Sequence, residues 1–439
     1  MKTIYNWKFF TLVLALLHIA DLFILPFGTM CDSLAYTSYG FDLAGASLFD
    51  SNEIPFPSYA SNPYFPIGYP LILSFFISLF GKSFFLPLYI FQHSLIVFAQ
   101  GMFLKLIHNS KAILISAFLL FFLTPEFHIY PQSVMSEGPA ISLHAILILS
   151  LIQFIKNGSG LSYLFFAISA IFLPMIRIMP FPVITGLLAL LFLFKQINLK
   201  TALKVEAPCL LGIILVPVLN LVLIGKPVLT TSSGKHLHDR TIFSHNFPLI
   251  EDNEAQKKII SLIGEDKYRR PHWEVEGSLK EAGLDLGFEV DNLLKSASTP
   301  YFKLYPLEIL KKTLHFSWKT LSSTNEHEFG ISPKFKTDAV AAENQFYIKP
   351  MGDLWANYLK DFRFNYISYF YLFSIAIILL RGSNYFYLII SLYPLIGILL
   401  SSVISWDDPR RLREFIMSML LLGLLCLTSK GKQTSSSES

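Results

Sequence analysis

The chain has 439 residues, 53% of them hydrophobic and only 15% charged, with 41 phenylalanines. A composition this apolar excludes a soluble globular core and points to a polytopic membrane protein. A net charge of +4 does not imply nucleic acid, and three scattered cysteines (Cys31, Cys209, Cys426) give neither a disulfide framework nor a metal knuckle.

Lys2 and Lys8 precede an apolar run that continues to Phe27 with no small-residue cleavage site after it, the pattern of a retained signal anchor. Ten spans are expected, at 8–27, 86–107, 112–127, 139–155, 161–176, 180–194, 205–224, 364–380, 384–403 and 411–428. An eleventh apolar run, 67–81, is of a length at which re-entrant and interfacial segments occur. Charge bias decides its status. If it does not cross, Lys2, Lys8, Lys105, Lys111, Lys156, Lys195, Lys200, Lys204, Arg381, Lys430 and Lys432 collect on the cytoplasmic side. The other side then keeps only Lys82, Arg177, Arg410, Arg411 and Arg413 in its short segments. If it crosses, the bias disappears, so the positive-inside rule places 67–81 at the outer interface. Loops 28–85, 128–138, 225–363 and 404–410 then share the outer face. The expected fold is therefore all-α: a bundle of about ten transmembrane helices in the cytoplasmic (inner) membrane, with interfacial helices in the first outer loop. The expected organisation is a transmembrane module over 1–224, an outer soluble region over 225–363, C-terminal spans over 364–428 and a disordered cytoplasmic tail over 429–439.

Just past the first span, Asp32, Tyr36, Tyr39 and Leu43 step by four, three and four residues, which places them on one helix face. Asp32 reads either as the N-terminal cap of a helix over 33–46 or as a functional carboxylate at the membrane surface. The same loop holds Asn62-Pro-Tyr64-Phe-Pro-Ile-Gly-Tyr-Pro70, whose prolines stop helices and whose aromatics suit headgroup depth. Glu137, in Gln132-Ser-Val-Met-Ser-Glu-Gly-Pro, starts a span, either as a dipole partner or as a second acid facing the same cavity. Arg177 is the only charge between Lys156 and Lys195. It reads as a snorkelling arginine or as a bidentate ligand for a lipid phosphate.

The segment 225–363 is the one sizeable polar region, and it opens with Lys235-His236-Leu-His238-Asp-Arg240. In a strand the two histidines would point the same way, but no third ligand stands at a metal-site spacing; recognition of an anionic headgroup through Lys235, His236, His238 or Arg240 is the expectation. Leu307, Leu310, Leu314 and Leu321 make an apolar stripe flanked by Lys311, Lys312 and Lys319, an amphipathic helix for a membrane surface. In the final outer turn, Trp406 anchors at the interface, and Arg410 and Arg411 either hold a phosphate or pair with Asp407 and Asp408. No Walker, Rossmann or zincin pattern occurs.

These pieces, in order, resemble the GT-C superfamily of polyprenyl-phosphate-dependent glycosyltransferases, in the style of protein O-mannosyltransferases and lipid A aminoarabinose transferases. The matching pieces are Asp32 with Tyr36, then Asn62-Pro-Tyr-Phe-Pro-Ile-Gly-Tyr-Pro-Leu-Ile-Leu running to Leu79-Phe-Gly81, then Met135-Ser-Glu-Gly-Pro, then Leu173-Pro-Met-Ile-Arg177. The match covers roughly residues 1–195; Tyr305-Pro-Leu-Glu-Ile-Leu and the Asp-Pro-Arg-Arg turn match more loosely. The resemblance implies a hexosyl or pentosyl transferase with its active site on the outer face. It would move a sugar from a polyprenyl-phosphate donor to a hydroxyl of a glycan, lipid or protein by direct inverting displacement. It implies Asp32 as catalytic base with Glu137 as second acid. Arg177, Arg410 and Arg411 would bind the donor phosphate, and Tyr36, Tyr64, Lys235, His236 and His238 would bind substrate. No cofactor is expected; a divalent metal is compatible with the family but has no support in these residues. Glu137 stands alone where the family often has an aspartate pair, and no Glu-Lys pair occurs in the first loop, so the resemblance names the chemistry and not the sugar. A transporter or flippase would need charges deep in its spans, for which His18, Asp21, His93 and His144 are the candidates. A non-catalytic envelope assembly protein would use 225–363 for docking.

Overall fold

A computed structural model describes residues 6–25, 32–45, 59–107, 110–122, 126–284, 287–322, 365–380, 385–404 and 410–428. All regular elements among them are helical. The N-terminal half comprises α1 (Trp7–Ile24), α2 (Ser33–Leu43), α3 (Gly68–Phe80), α4 (Phe85–Leu106), α5 (Ser110–Phe122), α6 (Glu126–Ile129), α7 (Glu137–Asn157), α8 (Gly160–Ile176), α9 (Pro180–Leu193) and α10 (Leu199–Ile224). Local signals set several ends. The side chains of Asn6, Ser159 and Asn198 accept backbone N–H bonds from Lys8, Ser162 and Thr201 at the starts of α1, α8 and α10. Gly158 and Gly225 close α7 and α10 in the left-handed conformation.

α7 is the axis of the bundle. Every residue from Glu137 to Ile152 is buried, and α4 and α8 pack along it. Elsewhere the apolar side chains face outward: Leu12, Leu16 and Ile19 of α1, Leu161, Leu164 and Ile168 of α8, and Ile214, Val218 and Val222 of α10 are all exposed. Apolar belts of this extent are stable against lipid and not against water. Among the described residues, five helical stretches are long and apolar enough to cross a membrane: Trp7–Ile24, Phe85–Leu106, Glu137–Asn157, Leu199–Ile224 and Tyr385–Val403. The protein is an integral membrane protein of the polytopic helical class.

The ten expected spans all coincide with helices. Within 112–127 the described residues fall in α5 and the start of α6, and 384–403 divides into two helices at Leu392. The segment 67–81 is α3, whose 13 residues reach about 20 Å, short of a bilayer core. α1 and α4 pair antiparallel: Lys105 of α4 lies over the Trp7 ring, Gly101 faces Thr11, and His93 meets His18. The chain between them therefore returns to the end of the bundle it left, and α3 lies across that end. It does so in close contact. A Cβ on Gly40 would come within 2.7 Å of the Leu73 Cβ, and one on Gly68 within 2.7 Å of the Met175 backbone.

Residues 225–322 form a helical unit at the same end: α11 (Ser233–His238), α12 (Glu254–Ile263), α13 (Glu265–Tyr268), α14 (His272–Glu281), α15 (Phe288–Ser298), α16 (Pro300–Leu304) and α17 (Pro306–Ser322). They share a core built from Ile242, Ile259, Tyr268, Val275, Val290 and Leu294 among others. α17 is amphipathic as expected, with Leu307, Leu310, Leu314 and Trp318 exposed on one face and Ile309, Thr313 and Ser317 buried on the other. Leu321 departs from the expected stripe and is buried. The C-terminal helices are α18 (Asn365–Leu380), α19 (Tyr385–Ser391), α20 (Tyr393–Ile404) and α21 (Arg410–Thr428), of which α21 packs on α7. The expected tail 429–439 lies outside the described residues.

Candidate active site

Four stretches far apart in the sequence meet at one end of the bundle. α2 brings Asp32, Ser33 and Tyr36. The Ser33 hydroxyl donates to the Val134 carbonyl at 2.9 Å, fixing α2 against the loop that leads into α7. The Tyr36 hydroxyl lies 2.8 Å from Ser136 Oγ, and Ser136 lies 3.4 Å from Glu137 Oε2. Glu137 forms an ion pair with Arg177, which leaves the C-terminal end of α8. The Tyr36 ring stacks on Phe65 and meets Tyr69 edge-on. Residues 32–36, 65–69, 136–137 and 177 thus form one continuous cluster, in which Tyr36 is buried and Arg177 is partly exposed.

The electrostatics run through the same residues. Burial pushes the Tyr36 phenol well above its ordinary value; the Arg177 charge opposes this, and the Glu137 and Asp32 carboxylates add to it. One buried phenol therefore stands in the field of two carboxylates and one guanidinium. Asp32 occupies the cap position of α2, but its side chain makes no capping hydrogen bond.

The loop 59–67 is clamped in place. The Tyr39 hydroxyl donates to the Asn62 carbonyl at 2.6 Å, and Thr231 donates to Asn62 Oδ1 at 2.5 Å. The Tyr59 hydroxyl reaches Asn220 Oδ1 at 3.0 Å. Tyr64 is held at the boundary with the 225–322 unit. Its hydroxyl lies 3.3 Å from His272 Nε2, and the His272 Nδ1–H donates to Asp239 Oδ2 at 2.5 Å. Asp239 also accepts the His272 backbone N–H at 2.7 Å, which fixes the start of α14. This Asp239–His272–Tyr64 chain is absent from the sequence reading. Its members lie 33 and 208 residues apart, and no local spacing joins them.

The expected headgroup residues of 225–363 fall differently. Residues 233–238 are helical, so His236 and His238 do not share a face as they would in a strand. His238 is buried, and its Nε2 lies 3.1 Å from the Arg270 carbonyl. Burial pulls its pKa down to about 4. The His236 ring packs edge-on against His272. Lys235 is buried, pairs with Glu276 and lies 4.6 Å from the centre of the Tyr64 ring. Arg240 is fully buried, donates to Thr313 Oγ1 at 2.7 Å and lies over the Phe316 ring. Arg240, Lys235 and His238 thus hold the helical unit together, and Lys235 braces the back of Tyr64. Arg410 and Arg411 open α21; their side chains, and the turn with Trp406, Asp407 and Asp408, lie outside the described residues.

A second polar cluster sits beside the first, among apolar helices. His18, Asp21, His93 and His128 are all buried, with His18 Nδ1 3.1 Å from His93 Nδ1 and His128 Nδ1 2.7 Å from Asp21 Oδ2. The sequence reading singled out three of these residues as isolated charges and did not join them.

No family model matches the chain, and no curated protein matches it. Two solved structures show some likeness. The crystal structure of ArnT from Cupriavidus metallidurans bound to undecaprenyl phosphate aligns with a TM-score of 0.40 at 10% identity, covering 96% of this chain and 77% of that one. The same protein in the apo state gives 0.36 at 11% identity, with the same coverage. At these values the functional reading is left to the residues themselves.

Proposed function

We propose that this protein is a membrane glycosyltransferase of the GT-C type, which transfers a sugar from a polyprenyl-phosphate donor to an acceptor hydroxyl at the outer face of the membrane. The observation that carries the proposal is the meeting of Asp32 with Tyr36, Phe65 with Tyr69, Glu137 and Arg177, drawn from the four motifs of the sequence resemblance, at one end of the bundle. Packing alone gives no reason for four such motifs to converge on two acids and a guanidinium.

The chemistry assigned to each group follows from its surroundings. Asp32 accepts the proton of the acceptor hydroxyl. The hydroxyl oxygen attacks the anomeric carbon, the bond to the phosphate oxygen breaks, and polyprenyl phosphate departs with the bonding electrons. A single displacement inverts the anomeric centre. Arg177 stabilises the charge that develops on the leaving phosphate. A guanidinium carries five N–H donors in a planar fork, and a carboxylate engages at most two of them. We therefore assign Glu137 to holding Arg177 in orientation, as a positioning residue. Tyr36 and Tyr64 line the sugar-binding wall; Lys235 and His236 support that wall from behind. Arg410 and Arg411 remain proposed as further phosphate ligands from α21.

A transporter reading draws on the buried His18–Asp21–His93–His128 cluster, and one experiment separates the two. Purified protein is reconstituted with a labelled polyprenyl-phosphate sugar and a mixture of glycan, lipid and peptide acceptors. Transfer predicts release of free polyprenyl phosphate and label on an acceptor. Label that changes leaflet but stays on its lipid would establish transport instead.

A further inference from the structure

The His18–Asp21–His93–His128 cluster belongs to none of the steps above, yet it is among the most completely buried polar groups in the bundle, with exposures of 1%, 2%, 4% and 0%. A carboxylate and three imidazoles in an apolar bundle are expensive unless a counter-charge or a full set of hydrogen bonds compensates them. Their arrangement is specific. His18 and Asp21 lie one helical turn apart on α1, so both face α4. His93 comes from α4 and His128 from α6. His18 Nδ1 lies 3.1 Å from His93 Nδ1 and 3.2 Å from Asp21 Oδ2. His128 Nδ1 lies 2.7 Å from that same carboxylate oxygen. The ligating atoms of His18, Asp21 and His93 all fall within 4.8 Å of one another.

Tetrahedral zinc with bonds of about 2.0–2.1 Å holds neighbouring ligand atoms about 3.3 Å apart. The His18–His93 and His18–Asp21 separations are close to that figure. The orientation of His93 adds an independent observation. Its Nε2 lies 2.9 Å from Gln132 Oε1. A carbonyl oxygen there accepts the Nε2 proton and leaves the Nδ1 lone pair directed at His18 and Asp21, which is how outer partners fix metal-ligating histidines. Gln132 in turn reaches the Leu25 carbonyl at 3.4 Å, just past the end of α1.

We infer that His18, Asp21 and His93 form a binding site for a divalent transition cation of the zinc class, with His128 holding the Asp21 carboxylate from outside. Two imidazole nitrogens and one carboxylate oxygen, three protein ligands with a fourth position left open, suit that ion. The site joins α1 and α4, braced by His128 of α6, at the end of the bundle where the candidate active site lies. It also borders the loop that delivers Ser136 and Glu137, since Gln92 of α4 holds the Pro131 and Ser133 carbonyls at 3.0 and 3.1 Å. A bound cation would fix the relative positions of α1 and that loop. This inference stands apart from the glycosyltransferase reading, because it concerns different residues and is read without any activity assay.

The test uses the full chain, purified in detergent through an affinity tag that contains no histidine. Metal content is measured by mass spectrometry after incubation with zinc chloride and desalting. The expected result is about one zinc per chain for the native protein and loss of most of it in the His18→Gln/His93→Gln double variant. As a second measurement, a strong chelator should lower the melting temperature of the native protein, and zinc should restore it. Zinc below stoichiometry together with a melting temperature indifferent to chelator would show that the cluster is a hydrogen-bonded network only. Equal zinc in the native and double-variant proteins would place the ion elsewhere and overturn the assignment.

Discussion

Arg177 is the residue whose meaning changes most between sequence and structure. In the sequence it is a lone charge between two apolar runs. In the structure it is the partner of a buried glutamate, and its own side chain remains 23% exposed. Lysine at this position keeps the charge but loses the planar fork, so it cannot hold Glu137 and a phosphate in one plane. Arg177→Lys should raise the KM for the polyprenyl-phosphate donor by roughly tenfold or more at normal expression, a loss of one good charge-assisted contact. Unchanged donor kinetics would mean that Arg177 only neutralises Glu137. Asp32, Tyr36, Glu137 and Arg177 were all legible beforehand, because each sits at the edge of an apolar run where a charge or a phenol stands out. Asp239 and His272 were not. They lie in polar surroundings where neither residue type is unusual, and their pairing depends on how α11 and α14 pack.

At the scale of elements, the informative case is α3. Its length and the distribution of lysines argue against its being a span, and the antiparallel pairing of α1 with α4 agrees with that placement. With α3 outside the count, Ser159 at the start of α8 and Ser232 before α11 lie at opposite ends of the bundle. Cysteines placed there should react with a membrane-impermeant reagent from opposite sides, with Ser232 on the outer side. Labelling of both from one side would contradict the topology and the shared compartment of Asp32 and Glu137. α11 shows what its own segment leaves open. Six residues with alternating histidines resemble a strand locally, but Gly234 allows the backbone to approach Asp291, whose carboxylate accepts the Gly234 N–H at 2.6 Å. That long-range contact, invisible in the segment itself, favours the helix. It also buries His238 as a neutral ring with a pKa near 4. The unfolded chain protonates this histidine near its ordinary value of 6.5 while the folded chain does not. Stability of the 225–322 unit is therefore complete above about pH 6.5 and falls as the pH drops toward 4, by at most about 1.4 kcal/mol per pH unit. Thermal unfolding followed between pH 7.5 and 5 should show this slope, and His238→Gln, which retains a donor for the Arg270 carbonyl, should flatten it.

The whole molecule is a lipid-embedded helical bundle that carries the candidate site at one end and a helical unit with a core of its own beside it. The bundle was legible because twenty-residue apolar runs leave few alternatives. The helical unit was legible only as a polar region, since its core is assembled from short helices whose apolar residues gain meaning after folding. The joint between the two, through Tyr64, Lys235 and His272, was not legible at all. The central claim is that this end of the molecule catalyses transfer and does not merely bind or move a lipid. Asp32→Asn tests it most directly. Asparagine is nearly isosteric and serves as well as aspartate at a helix N-terminus, so expression and thermal stability should stay within about 1 kcal/mol of the native protein. An amide cannot take the acceptor proton, so turnover with a polyprenyl-phosphate sugar should fall by roughly a hundredfold or more while donor binding is retained. Native turnover in Asp32→Asn would contradict the assignment of Asp32 as the base.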